Sequence, residues 1–152
     1  MWRVPERLWV TSGAAEGGTP LNAFDNALLA AEIGNYNLIK VSSIIPQGAR
    51  LHEVRPDLLA GALVPAVVAQ LGSDRPGTEI SSAVALGFSR DAHGMIMEHS
   101  CVGPAEQAEA EVRKMVAQAF ARRGMDLHDV VIRSCSHRVA GVGCTVAAVI
   151  LW

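Results

Sequence analysis

The apolar stretch from Val139 to Trp152 constrains this chain more than any other feature. It is the longest such run, broken only by Gly141 and Gly143 and a single threonine. A helix that crosses a bilayer needs about 20 apolar residues. The run is short for that and suits a buried strand. Much of the rest reads the same way. Arg7 to Thr11 is a short β-type run, and Tyr36 to Ile45 predicts a strand buried on both faces. Ala62 to Leu71 and Glu79 to Phe88 predict strands joined across the turn signal Ser73-Asp74-Arg75-Pro76-Gly77. Gly94 to Val102, Val130 to Ser136 and Val142 to Leu151 complete the set.

Two helices interrupt the strands. Thr19 caps the first, with Pro20 at its first position and Gly34 just beyond its end. The small, glycine-rich stretch Gly13 to Thr19 before it predicts a loop. Pro104 opens the second helix, which runs to about Arg123 before Gly124. Its positions Ala108, Val112, Met115, Val116, Ala119 and Phe120 follow the helical period, and Glu109 to Arg113 adds an i,i+4 pair. Few helices, many strands and short turns give an α+β fold, with helices packed on largely antiparallel sheet.

With 152 residues and no repeat, linker or low-complexity tract, the chain reads as a single domain, 1–152. Half the residues are hydrophobic, only 18% are charged, and mean hydropathy is +0.25. That is apolar for a monomer of this size and points to burial by association. A net charge of −2 offers no basic field for nucleic acid. Cys101, Cys135 and Cys144 form no CxxC pair, which fits reduced cysteines in a cytoplasmic protein. The N-terminus, Met1-Trp2-Arg3-Val4-Pro5-Glu6, has no apolar core of a signal peptide. His93, His99 and Cys101 lie close in sequence but match no metal-ligand spacing, so no metal site is predicted.

Three places carry candidate chemistry. Ser42 and Ser43 end the apolar run Leu38-Ile39-Lys40-Val41, and the chain reaches Pro46 three residues later. A serine held there can attack the peptide bond before it and build an electrophile from the chain itself. Asp25 sits mid-helix beside Leu21, Leu28 and Leu29, and wants a cationic or hydrogen-bonding partner. It is either a binding carboxylate or a partly exposed Asp bonded to the adjacent glycine-rich loop. Glu98 shares a strand face with Ile96. Burial would raise its pKa and suit it to general acid work; the alternative is a strand-end Glu that reaches solvent.

Taken together, these segments resemble the pyruvoyl-dependent arginine decarboxylase family. The matching stretches are Ala15 to Asp25, Gly34 to Pro46, Gly61 to Pro65, Pro76 to Ser81, Met95 to Glu98, and Gly143-Cys144 leading to Leu151-Trp152. They cover nearly the whole chain in order. The resemblance implies a four-layer αββα sandwich of mostly antiparallel sheets, assembled as homotrimers that could pair into hexamers. It implies self-cleavage into 1–42 and 43–152. In that cleavage Asn37 would polarise the Ser42 carbonyl, and Ser43 would become a covalent pyruvoyl group that serves in place of PLP. That group would hold arginine as a Schiff base, Glu98 would protonate the carbon left after CO2 departs, and Asp25 and Ser42 would contact the substrate. A carboxylate grips guanidinium through two parallel hydrogen bonds, which favours arginine over lysine. Two other readings stay open. One is the same chemistry on histidine, lysine or ornithine; the other is an uncleaved, non-catalytic trimer with a binding or structural role. One geometric consequence also follows. If residues 37–43 are extended they span roughly 20 Å, so Asn37 would reach a neighbouring subunit's Ser42 unless the segment bends.

Overall fold

The computed structural model describes residues 3–152. Met1 and Trp2, the start of the predicted small chain and of the N-terminus read above, lie outside the described residues. In chain order the elements are β1 (Arg7–Glu16), α1 (Pro20–Ala30), β2 (Asn37–Lys40), β3 (Ile44–Ile45), β4 (Arg50–Leu51), β5 (Leu63–Ser73), β6 (Glu79–Phe88), β7 (Gly94–Val102), α2 (Ala105–Arg123), β8 (Asp129–Arg138) and β9 (Gly143–Leu151). The strands make two sheets, ordered β2-β5-β9-β1-β4 and β3-β7-β6-β8. Among the described residues β1–β4 and β2–β5 pair parallel, and the other pairings are antiparallel. Among the described residues no helix is long and apolar enough to cross a membrane.

Three cores separate four layers. Between α1 and the five-stranded sheet lie Trp9, Ala23, Ala27, Val68, Val146 and Ile150. Between the sheets lie Leu8, Val67, Val84, Leu86, Ile96 and Val149. Between the four-stranded sheet and α2 lie Ala85, Met95, Val112, Val116 and Phe120. The order is therefore helix, sheet, sheet, helix, the αββα sandwich. The C-terminal apolar run explains itself here. Its strand β9 is central in its sheet and buried at every position, alternate residues meeting α1 and the second sheet. Full burial of each Val, Leu or Ile side chain contributes about 1.5–3 kcal/mol relative to exposure.

Both helices end and pack as their residues dictate, with one exception. Thr19 Oγ1 accepts from the Asn22 N–H at 3.1 Å, and Pro20 opens α1. Gly124 takes the left-handed conformation, φ 63°, that closes α2. The exception is Gly34. The left-handed residue after α1 is Glu32, φ 63°, and Gly34 serves close packing instead, since a Cβ there would fall 2.8 Å from the Leu29 side chain.

Three further expectations change. Gly13 to Glu16 is strand, not loop: it continues β1 along β9, where Ala14 faces Thr145. Gly13 is required because a Cβ there would lie 2.4 Å from the nitrogen of Ala31, the C-cap of α1. Tyr36 to Ile45 is not one strand buried on both faces. It splits into β2 and β3, which are edge strands of different sheets. The turn after Ser73 joins β5 to β6 as expected, and it also carries the chain from one sheet to the other, so the two strands are not hydrogen-bonded neighbours. Finally, Glu109 does not pair with Arg113; its carboxylate accepts from Ser134 Oγ on β8.

Candidate active site

The serine pair lies where the chain changes sheets. Residue 41 still belongs to the first sheet, its N–H donating to Ala66 O at 3.0 Å. Residue 43 already belongs to the second, its carbonyl accepting from the Ile96 N–H at 2.7 Å. Beyond it, Ile44 faces Met95 and Ile45 faces Gly94. Ser42 is the single residue between these anchors, and it is exposed. The Ser42–Ser43 peptide therefore spans the gap between two sheet edges. A cavity of about 350 Å³ opens beside it, lined by Val41, Ile44, Pro46, Pro65 and Leu151 together with both serines. Space for a substrate, a β-hydroxyl on Ser43 and an anchored Ser43 carbonyl together fit a group made from residue 43.

Glu98 follows Ile96 by two positions on β7, so the two share the face turned toward the other sheet. Ile96 is buried between the sheets and Glu98 emerges at their margin. It lines a trough of about 310 Å³ with Lys40, Val68, Gln70, His99 and Ser100. One side of the carboxylate meets water and the other lies against protein. That partial burial pushes its pKa above the ordinary value, while the Lys40 charge and the Val68 N–H pull it back. The structure thus places Ser43 and Glu98 within one strand register. The anchor of the Ser43 carbonyl and the acid are about 7 Å apart along β7.

Asn37 and Asp25 are not brought to Ser42 within one chain. Asn37 starts β2 opposite Leu63, and its Nδ2 donates to Gly61 O at 2.9 Å. From there to residue 41 the strand covers about 13 Å. The bend in the segment comes only at 41–43, too late to return Asn37 to the serines. Asp25 is exposed on the outer face of α1, which packs over β1 and β9. Its helical neighbours Leu21 and Leu29 are 74% and 48% exposed. The loop contact considered for Asp25 is made by its neighbour: Asn26 Nδ2 donates to Glu16 O at 3.0 Å.

One polar cluster escaped sequence reasoning. Glu16 Oε1 lies 2.7 Å from His137 Nε2 and 2.6 Å from the Ala140 nitrogen, and Oε2 accepts from Gly141 N at 3.2 Å. These bonds tie the end of β1 to the β8–β9 turn. The backbone donor of Ala140 and then His137 hold the Glu16 carboxyl below its usual range. A carboxyl with a depressed folded pKa stabilises the fold above its unfolded pKa, and that support is lost as pH falls through the folded value. Glu16→Gln should therefore lower Tm at neutral pH and narrow the gap to wild type on acidification. Thermal melts between pH 7 and pH 3 check this, and a gap independent of pH would contradict it. No short motif marks the cluster, because Glu16 lies more than a hundred residues from its partners.

The family described as pyruvoyl-dependent arginine decarboxylase matches residues 7–152. Three proteins bearing that name are similar over nearly their full length. That of Thermococcus kodakarensis is 42% identical, over 99% of this chain and 96% of its own. That of Methanocaldococcus jannaschii is 40% identical, over 99% and 92%. That of Methanothermobacter thermautotrophicus is 44% identical, over 93% of each. On this fold, such matches define an enzyme of the decarboxylase class, a carbon–carbon lyase. The chain belongs to the pyruvoyl-dependent arginine decarboxylase family.

Proposed function

We propose that the chain cuts itself between Ser42 and Ser43 and then decarboxylates L-arginine to agmatine and CO2 in the cytoplasm. The observation that carries this is the crossover itself: an exposed Ser42–Ser43 peptide whose Ser43 carbonyl is anchored two positions from an acid with a raised pKa. The products are a small chain ending at Ser42 and a large chain, 43–152, that begins with the pyruvoyl group. That group supplies a ketone for the substrate amine and a conjugated carbonyl that takes up the electron pair left by departing CO2.

The chain's own residues do the rest. Residues 44 and 45 stay paired to β7, which keeps the new end of the large chain in place after the cut. Glu98 holds a proton and delivers it to the substrate α-carbon; its burial keeps that proton available nearer neutrality than an ordinary Glu would. The exposed Ser42 end borders the substrate space. Asn37 and Asp25 serve a neighbouring copy: Asn37 polarises that copy's Ser42 carbonyl, and Asp25 receives the substrate guanidinium. Exposed Leu21 and Leu29 beside Asp25, and Val41 and Ile44 beside the serines, supply apolar surface for such contacts. The assembly is a homotrimer of cleaved protomers.

Arginine is distinguished from lysine, ornithine and histidine by the fork of two hydrogen bonds at Asp25. Asp25→Ala should cleave at the wild-type rate and raise KM for arginine by about 10–100-fold, the loss of one charge-assisted contact. Precursor cleavage on denaturing gels and agmatine formation at varied arginine check this. Joint loss of cleavage and turnover would remove Asp25 from substrate recognition.

A further inference from the structure

We propose that the backbone N–H of Ile96 is the oxyanion donor for the elimination step that completes self-processing. This rests on the self-cleavage reading above and assigns a role within it. The first step puts Ser43 Oγ on the Ser42 carbonyl carbon and breaks the C–N bond, leaving an ester and a free Ser43 amine. In the second step the Ser43 Cα–H bond breaks, and its proton passes to water. The electron pair moves toward the Ser43 carbonyl and then expels the Ser42 carboxylate as the Cβ–Oγ bond breaks. The resulting enamine becomes an imine and takes up one water, giving the ketone and ammonia. Over the whole sequence one water is consumed.

The charge in the second step therefore develops on the Ser43 carbonyl oxygen, not on the Ser42 carbonyl attacked in the first. That oxygen already accepts from Ile96 N–H at 2.7 Å. The donor is fixed before the reaction. Ile96 lies inside β7, between β3 and β6, and its side chain is fully buried between the sheets. A donor that needs no reorganisation is worth most at such a step. The contact also survives the cut, because it lies on the large-chain side of the broken bond, where Ile44 and Ile45 continue the ladder with Met95 and Gly94. Ser42, by contrast, has no strand partner and is free to leave.

The test deletes one hydrogen-bond donor. The chain is made with the α-hydroxy acid counterpart of isoleucine at position 96, which keeps the side chain and replaces N–H by oxygen. A second chain carries the same change at Met97, whose N–H points the other way, toward β6. Precursor, hydroxylamine-trapped ester and released large chain are followed by mass spectrometry. The Ile96 ester chain should accumulate the trappable Ser42 ester and release the large chain about 10²–10³-fold more slowly. The Met97 ester chain should match wild type. Equal release by the two overturns the assignment. So does slow release without accumulated ester, which places the defect in the first step. Should the Ile96 ester chain not fold, amide exchange in the uncut Ser43→Ala protein decides instead. Ile96 protected to the level of Met97 supports the donor, and exchange at the open-chain rate overturns it. A wild-type chain that never cuts refutes self-processing itself, a different result from a wild type that cuts and an ester chain that keeps pace.

Discussion

Ser43→Ala protein folds into the same sandwich, remains a single chain and releases no CO2 from arginine. The reasons are local. In the proposed self-processing the Ser43 hydroxyl attacks the bond before it, and alanine leaves that bond to uncatalysed hydrolysis. The ketone then never forms, so decarboxylation falls by roughly 10⁶-fold or more, to the background rate. Folding is spared because the segment is held by backbone bonds, Val41 N–H to Ala66 O and Ile96 N–H to Ser43 O, which a side-chain change leaves intact. Denaturing electrophoresis, a thermal melt and a CO2 assay read the three parts separately. Cleavage or turnover in the variant would contradict the assignment of Ser43.

Glu98→Gln has the second-largest expected effect and separates processing from catalysis. The amide keeps the volume and can still accept from the Val68 N–H, but it has no proton to give. The variant should cut itself, hold arginine with little change in KM, and lose about 10²–10⁴-fold in kcat. The pH dependence has a fixed sign. In the proposed role Glu98 works in its protonated form, so kcat should fall as pH rises through its pKa, which burial has raised. Lys40 opposes that rise by favouring the ionised form. Lys40→Met should therefore move the alkaline limb of the kcat profile to higher pH. Unchanged kcat in Glu98→Gln, or a limb moved to lower pH in Lys40→Met, would remove Glu98 as the proton donor.

The sequence made the outer frame legible because local chemistry decides it. Thr19-Pro20 and Gly124 mark helix ends by capping and left-handed backbone, and the run into Trp152 has to be an interior strand wherever it falls. What stayed hidden depends on partners distant in the chain. Nothing in Leu38 to Ile45 says that the run leaves one sheet and joins another; that follows from β5 and β7 lying in different layers. Gly13 looks like a loop residue until Ala31, at the end of α1, is seen to lie against it. Glu109 has an obvious helical partner in Arg113 and uses Ser134 on β8 instead. The site divides the same way. Ser42, Ser43 and Glu98 could be named from strand pattern and family resemblance. The register that joins them, Ser43 O on Ile96 N, could not.

The central claim is that this chain makes its own cofactor at position 43, and denaturing mass spectrometry of the freshly purified protein tests it most directly. The account predicts two fragments that divide between Ser42 and Ser43, the larger beginning with a ketone in place of an amine. A single intact chain that persists on incubation in the folded state would contradict it, and would point instead to a protein of this family that binds or scaffolds without catalysis.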